Sequence, residues 1–177
     1  KLPFANSNAE MEFFNAVGGV TSVLIELTYN CSERCIHCYN PGATRNDNEQ
    51  NKRKNRVELQ FVDYKRIIDE LYVLGIVKVC LTGGEAFTKS CVWEIIDYLY
   101  QKGIAFDIFT NAILLNNEQL SRLANYYPRV VGISIYSGVA EEHDLITRVH
   151  GSWERSMRAV QILSELGVPM QLKCCVM

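Results

Sequence analysis

Short runs of β-branched and apolar residues alternate with amphipathic stretches along most of the 177-residue sequence, and this rhythm limits the chain to few architectures. Thr21–Leu27, Ile76–Leu81, Ile104–Phe109, Val130–Tyr136 and Val168–Val176 read as strands. Between them, Phe61–Leu74, Cys91–Gln101, Asn117–Asn125 and Trp153–Leu166 read as helices. In the first helix Ile67, Ile68, Leu71 and Leu74 share one face, and Gly75 supplies a stop. Helical connections of this length suit parallel crossovers, so the fold class is α/β with a parallel sheet. The pattern alone leaves open a closed barrel, an open barrel or a doubly wound layer. In each of these, chemistry gathers at the carboxyl ends of the strands.

The first strand runs straight into Cys31-Ser-Glu-Arg-Cys35-Ile-His-Cys38. Three thiolates on so short a loop can wrap one metal centre, and thiolates are ligands for both zinc and iron–sulfur clusters. A structural zinc site wants four protein ligands, whereas a four-iron cluster held by three cysteines leaves one iron open. His37 could complete a zinc site only by folding back sharply beside Cys38. Cys35 and Cys38 also form a C-x-x-C pair, but a thioredoxin-like motif needs no third cysteine. The chain has seven cysteines, an odd number, which makes a disulfide framework a poor account. Cys80, Cys91, Cys174 and Cys175 are expected to be inert thiols.

Other candidates lie at later strand ends. Leu81-Thr82-Gly83-Gly84-Glu85 offers two glycines that allow close backbone approach and a carboxylate able to accept hydrogen bonds from an ammonium group. Phe109-Thr110-Asn111-Ala112 follows the third strand, and Ser134 lies on the fourth. A net charge of −2 gives no basic field for nucleic acid, and no apolar run approaches the roughly 18 residues of a membrane span.

The spacing of Cys31, Cys35 and Cys38 after the first strand resembles the signature of the radical S-adenosylmethionine (radical SAM) superfamily. The resemblance runs from about Val23 to the chain end. It implies a [4Fe-4S] cluster on those cysteines and S-adenosylmethionine bound at its open iron through the amino and carboxylate groups. One-electron reductive cleavage would then give a 5′-deoxyadenosyl radical. Gly83, Gly84 and Glu85 resemble the family's GGE motif, which holds the cofactor's amino group. Asn111 falls in a segment similar to the family's T-N-G, with Ala112 in place of glycine. Ser134 resembles a serine near the cofactor's polar groups, and His37 falls where a loop aromatic packs near adenine. His143-Asp144-Leu145-Ile146-Thr147-Arg148-Val149-His150-Gly151-Ser152-Trp153 is similar to the "HD…T…GS-aromatic" segment of peptide- and protein-modifying members, including those with SPASM or twitch extensions. Many sulfatase-maturing members carry an arginine where Thr147 falls, so their carboxylate contact does not transfer here.

The expected fold is therefore a partial (βα)6 TIM-like barrel, truncated before its last strand, with residues 1–20 as a lead-in and 21–177 as the radical SAM core. The implied activity is that of an oxidoreductase modifying a peptide or protein, in the cytoplasm, with an external electron donor and no nucleic-acid or membrane partner. The alternatives are a radical SAM enzyme acting on a small molecule or cofactor precursor, and a non-catalytic zinc or peptide-binding module. Pro41–Glu58, including Lys52-Arg53-Lys54, reads as a solvated excursion.

Overall fold

A computed structural model describes residues 20–40 and 58–175. The lead-in segment up to residue 19, the Lys52-Arg53-Lys54 run and Val176 lie outside the described residues. Within them, β1 (Ser22–Glu26) is followed by α1 (Phe61–Val73), β2 (Lys78–Thr82), a 3-10 turn (Ala86–Thr88) and α2 (Val92–Gln101). Then come β3 (Ala105–Thr110), α3 (Asn117–Ala124), β4 (Val130–Ser134), α4 (Ala140–Thr147), α5 (Ser152–Glu165) and β5 (Met170–Lys173).

The five strands form one sheet in the order β1-β2-β3-β4-β5, and every neighbouring pair is parallel. Strand order equals chain order, so there is no reversal of winding such as a doubly wound layer requires. One face of the sheet is apolar. Val79, Leu81, Phe106, Ile108, Val131 and Ile133 are buried there against Ile68, Ile95, Ile96, Leu99, Leu120, Leu123, Ala159 and Leu163 of the helices. The opposite face carries Glu26, Cys80, Asp107, Gly132 and Lys173 by the two-residue alternation of the strands. Its polar residues are organised: Arg129 grips Asp107 through two hydrogen bonds, at 2.8 and 2.5 Å, and Lys173 Nζ lies 3.8 Å from the centre of the Phe109 ring. A sequential parallel sheet with one apolar helix-bearing face and one polar face is the wall of a βα barrel.

Local chemistry accounts for the helix boundaries. Asn116 and Gln119 cap α3 reciprocally: Gln119 N donates to Asn116 Oδ1 at 2.8 Å, and Asn116 N donates to Gln119 Oε1 at 3.0 Å. The sequence pattern did not indicate α4. Its buried positions are the polar His143 and Thr147 while Leu145 faces outward, so no apolar stripe announces it. Two of the remaining cysteines, Cys80 and Cys91, are buried as expected of small apolar thiols, whereas Cys174 and Cys175 are exposed just after β5.

The strand ends that carry the candidate site are joined by backbone. Leu27 N donates to Thr82 O at 2.8 Å, Gly84 N to Thr28 O at 2.7 Å and Glu85 N to Asn30 O at 2.8 Å. This zipper continues the β1–β2 pairing beyond both strands and ends one residue before Cys31. It requires glycine. A Cβ on Gly84 would stand 2.4 Å from Asn30 O and 2.7 Å from Tyr29 O, and one on Gly83 would stand 2.5 Å from Thr28 O. Gly84→Ala is therefore expected to cost about 3 kcal/mol, because backbone cannot yield as a side chain can. Gly138→Ala, where an added Cβ meets nothing within 4 Å, is expected to stay within about 0.5 kcal/mol. Urea denaturation midpoints of the two variants make the comparison.

Candidate active site

The cysteine loop is held by three separate parts of the fold. The first is the glycine zipper described above. The second is α4, whose terminal carbonyls lack partners within the helix, as at any helix end. Arg34 N donates to Thr147 O at 3.0 Å and Ile36 N donates to Ile146 O at 2.9 Å, so the backbone on both sides of Cys35 is pinned. The third is Asn111 at the end of β3, whose Nδ2 donates to Ser32 Oγ at 3.0 Å and lies 3.9 Å from Cys31 Sγ.

Glu85 is 1% exposed, and its carboxylate is engaged within the protein. Thr110 Oγ1 and Phe87 N donate to Oε1 at 2.7 and 3.0 Å, and Asn111 N donates to Oε2 at 2.7 Å. Burial raises its pKa, and these three donors oppose the rise. The side chain thus braces the end of β2 against the end of β3 and fixes Asn111 beside the cysteines. Ala112, which stands in the T-N-G position, has φ +61°, the left-handed conformation that suits glycine, so the turn keeps its shape at some steric cost.

Tyr136, which the sequence reading did not single out, enters the site from the end of β4. Its hydroxyl lies 4.0 Å from Cys35 Sγ and is hydrogen-bonded to Ser134. Its ring meets His37 edge-on at 4.5 Å and lies on His143 at 5.5 Å with 22° between planes. The two-residue period from Ser134 carries the same direction to 136, and that was the available signal. Cys31, Cys35, His37, Asn111 and Ser134 are thereby brought into one group, while Gly83 and Gly84 support it from below. Cys38 is tied to the same loop through its N–H on Cys35 O at 3.1 Å.

The segment from His143 to Trp153 acts as a clamp. Asp144 accepts hydrogen bonds from Gly151 N at 2.5 Å, Ser152 Oγ at 2.8 Å and Trp153 N at 3.0 Å, which closes the start of α5. Thr147 and Ser152 share a hydrogen bond at 2.7 Å, both fully buried, and Ser156 Oγ donates to Asn111 O at 2.7 Å. The D, T and G-S letters of the motif are therefore the residues that lock α4 to α5, while the H, His143, packs on Tyr136.

Burial dominates the electrostatics of the loop and favours the neutral forms of its groups. Burial, against a hydrogen bond from Glu33 N, pushes the Cys31 thiol up to about 12, and burial followed by the Glu33 charge raises Cys35 as well. Burial also pushes Glu33 up to about 7 and holds His37 below its ordinary value. Among the described residues, three buried side-chain polar atoms lack a hydrogen-bond partner: Glu33 Oε1, His37 Nδ1 and His143 Nε2. Two belong to the cysteine loop, and the third belongs to the residue stacked on Tyr136. Among the described residues, no three His, Cys, Asp or Glu side chains converge closely enough for a single metal ion. A zinc ion bound at about 2.3 Å by each sulfur would demand that convergence. A cluster that each cysteine reaches at a different iron does not, and three free thiols on one loop are donors of the kind such a cluster takes.

A parallel βα-barrel wall with a three-cysteine loop at its first strand end defines a class of cluster-binding enzyme cores. The chain belongs to the Radical SAM superfamily, whose sequence profile matches residues 25–177. That family uses a [4Fe-4S] cluster and S-adenosylmethionine. The chain is 30% identical over 144 residues to the antilisterial bacteriocin subtilosin biosynthesis protein AlbA of Bacillus subtilis, covering 81% of this chain and 30% of AlbA. It is 32% identical over 142 residues to the mycofactocin maturase MftC of Mycobacterium tuberculosis, covering 80% of this chain and 34% of MftC. The chain thus spans about a third of the length of these relatives. Among solved structures, Streptococcus suis SuiB bound to S-adenosylmethionine shares the fold at a TM-score of 0.69 and 15% identity, covering 93% of this chain and 35% of SuiB. Among the described residues, no helix is long and apolar enough to cross a membrane.

The clamp generates a pH-dependent expectation. Burial raises the Asp144 pKa, but the donors Trp153 N, Gly151 N and Ser152 Oγ outweigh it and hold the carboxyl below its ordinary value. A depressed carboxyl stabilises the fold fully above its unfolded pKa of about 4, and that contribution is lost as pH falls through the lower folded value. Asp144→Ala is expected to cost about 1 kcal/mol near neutral pH, as for other lost helix caps. The gap between parent and variant should close toward pH 3, read from thermal or urea unfolding across pH.

Proposed function

We propose that this chain is the catalytic core of a radical S-adenosylmethionine enzyme that modifies a peptide or protein. The observation that carries the reading is a loop at the carboxyl end of a barrel wall that holds three free cysteines, Cys35 buried and Cys31 and Cys38 partly buried, and two buried polar atoms without partners, Glu33 Oε1 and His37 Nδ1. Cys31, Cys35 and Cys38 would hold the [4Fe-4S] cluster. When bound, the cluster and S-adenosylmethionine supply one-electron reductive cleavage and a 5′-deoxyadenosyl radical able to take a hydrogen atom from substrate.

The protein's own contribution is position. Gly83 and Gly84 bring the β2 end against the cysteine loop, where their backbone would face the cofactor's amino group. Glu85 keeps Asn111 at the loop, and Ser134 and His37 flank the same space from β4 and from the loop itself. The polar sheet face, with the Asp107–Arg129 pair and Lys173 over Phe109, would form the wall against which substrate lies. A peptide or protein substrate is supported by AlbA and MftC, a bacteriocin biosynthesis protein and a maturase. An external donor would supply the electron, and the cytoplasm is the compartment in which exposed Cys174 and Cys175 stay reduced.

Anaerobic reconstitution with iron and sulfide is expected to give a brown protein. With dithionite and S-adenosylmethionine it should release 5′-deoxyadenosine, detected by liquid chromatography and mass spectrometry. Cys35→Ala is expected to lose both colour and product. A colourless protein that binds zinc instead would overturn the reading.

A further inference from the structure

Tyr136 is held in the site by contacts on its backbone, its ring and its hydroxyl. Its backbone N donates to His143 Nδ1 at 3.2 Å, and its ring is held between His143 on one face and the edge of His37. His143 is 1% exposed and stands on α4, the helix whose terminal carbonyls pin the backbone around Cys35. The tyrosine and the loop are thus anchored to one element, which sets the hydroxyl 4.0 Å from Cys35 Sγ. Since His143 Nδ1 accepts the backbone proton, the histidine is an uncharged platform. Among the described residues, two oxygens approach the Cys35 sulfur, Glu33 Oε2 at 3.5 Å and the Tyr136 hydroxyl at 4.0 Å, and the hydroxyl is the one that carries an O–H to offer a thiolate.

We propose that Tyr136 is a positioning residue that donates its hydroxyl proton to the sulfur of Cys35 when that sulfur ligates the cluster, and so raises the cluster's reduction potential. A hydrogen bond to a ligating thiolate draws off negative charge. The reduced cluster, which carries one more electron, gains more from this than the oxidised one. The contact would also favour one orientation of the Cys35 side chain over its alternatives.

This inference rests on the reading of the site as a [4Fe-4S] centre, and the test separates the two. In the anaerobically reconstituted protein, a dithionite redox titration followed by electron paramagnetic resonance reads the potential directly. Tyr136→Phe, with iron and sulfide content equal to the parent, is expected to shift the potential to more negative values. Replacing Tyr136 site-specifically by 3-fluorotyrosine keeps the shape and strengthens the donor, so the potential should shift the opposite way. An unchanged potential in a fully loaded Phe variant would overturn the proposal. If the Phe variant does not load, the fluorotyrosine protein decides: an upward shift supports the proposal and an unshifted value overturns it. A parent protein that takes up no cluster would instead overturn the reading of the site.

Discussion

Two glycines without Cβ atoms are the constraint on which the site depends. Gly83 and Gly84 allow the backbone after β2 to close on Thr28–Asn30 at distances no other residue tolerates. The resulting hydrogen bonds run from Leu27 to Asn30 and deliver Cys31 at a fixed position and direction. The same turn continues into Glu85, which reaches across to β3. One short segment therefore fixes the first cysteine from below and Asn111 from the side. The glycines have a structural duty before any ligand arrives, and it is compatible with presenting their backbone to one.

The far side of the loop is controlled by helix termini rather than by the sheet. The last carbonyls of α4 would be unsatisfied on their own, and the N–H groups of Arg34 and Ile36 take them. Arg148 ends the helix with φ +57°, a left-handed cap without glycine. Asp144, Thr147 and Ser152 then tie that helix to α5, and Ser156 ties α5 back to Asn111. The circuit is closed: β2 to loop, loop to α4, α4 to α5, α5 to β3, and β3 to β2. Among the described residues, the buried side-chain polar atoms without partners are two on the cysteine loop, Glu33 Oε1 and His37 Nδ1, and His143 Nε2 on α4.

Much of this was legible in the residues. The strand–helix alternation indicated the parallel sheet, and Cys31, Cys35 and Cys38, with Gly83 to Glu85 downstream, marked two segments that meet at the strand ends. Less visible were contacts between residues far apart in the chain. Arg34 meets Thr147 through backbone alone, so no side-chain pattern records the pairing. Tyr136 looked like the end of a strand, because a tyrosine suits a strand equally well. Glu85 accepts from Thr110, Phe87 and Asn111, partners that local sequence does not announce. Helix α4 escaped notice because it buries histidine and threonine, and a hydrophobic period cannot show a helix held by hydrogen bonds.

The central claim is that three cysteines hold a cluster whose fourth iron is open to S-adenosylmethionine. Electron paramagnetic resonance of the dithionite-reduced, reconstituted protein, recorded with and without S-adenosylmethionine, tests it most directly. The account predicts a four-iron signal whose g-values move when the cofactor is added. A spectrum indifferent to S-adenosylmethionine, in a protein that carries its full iron and sulfide, would contradict it.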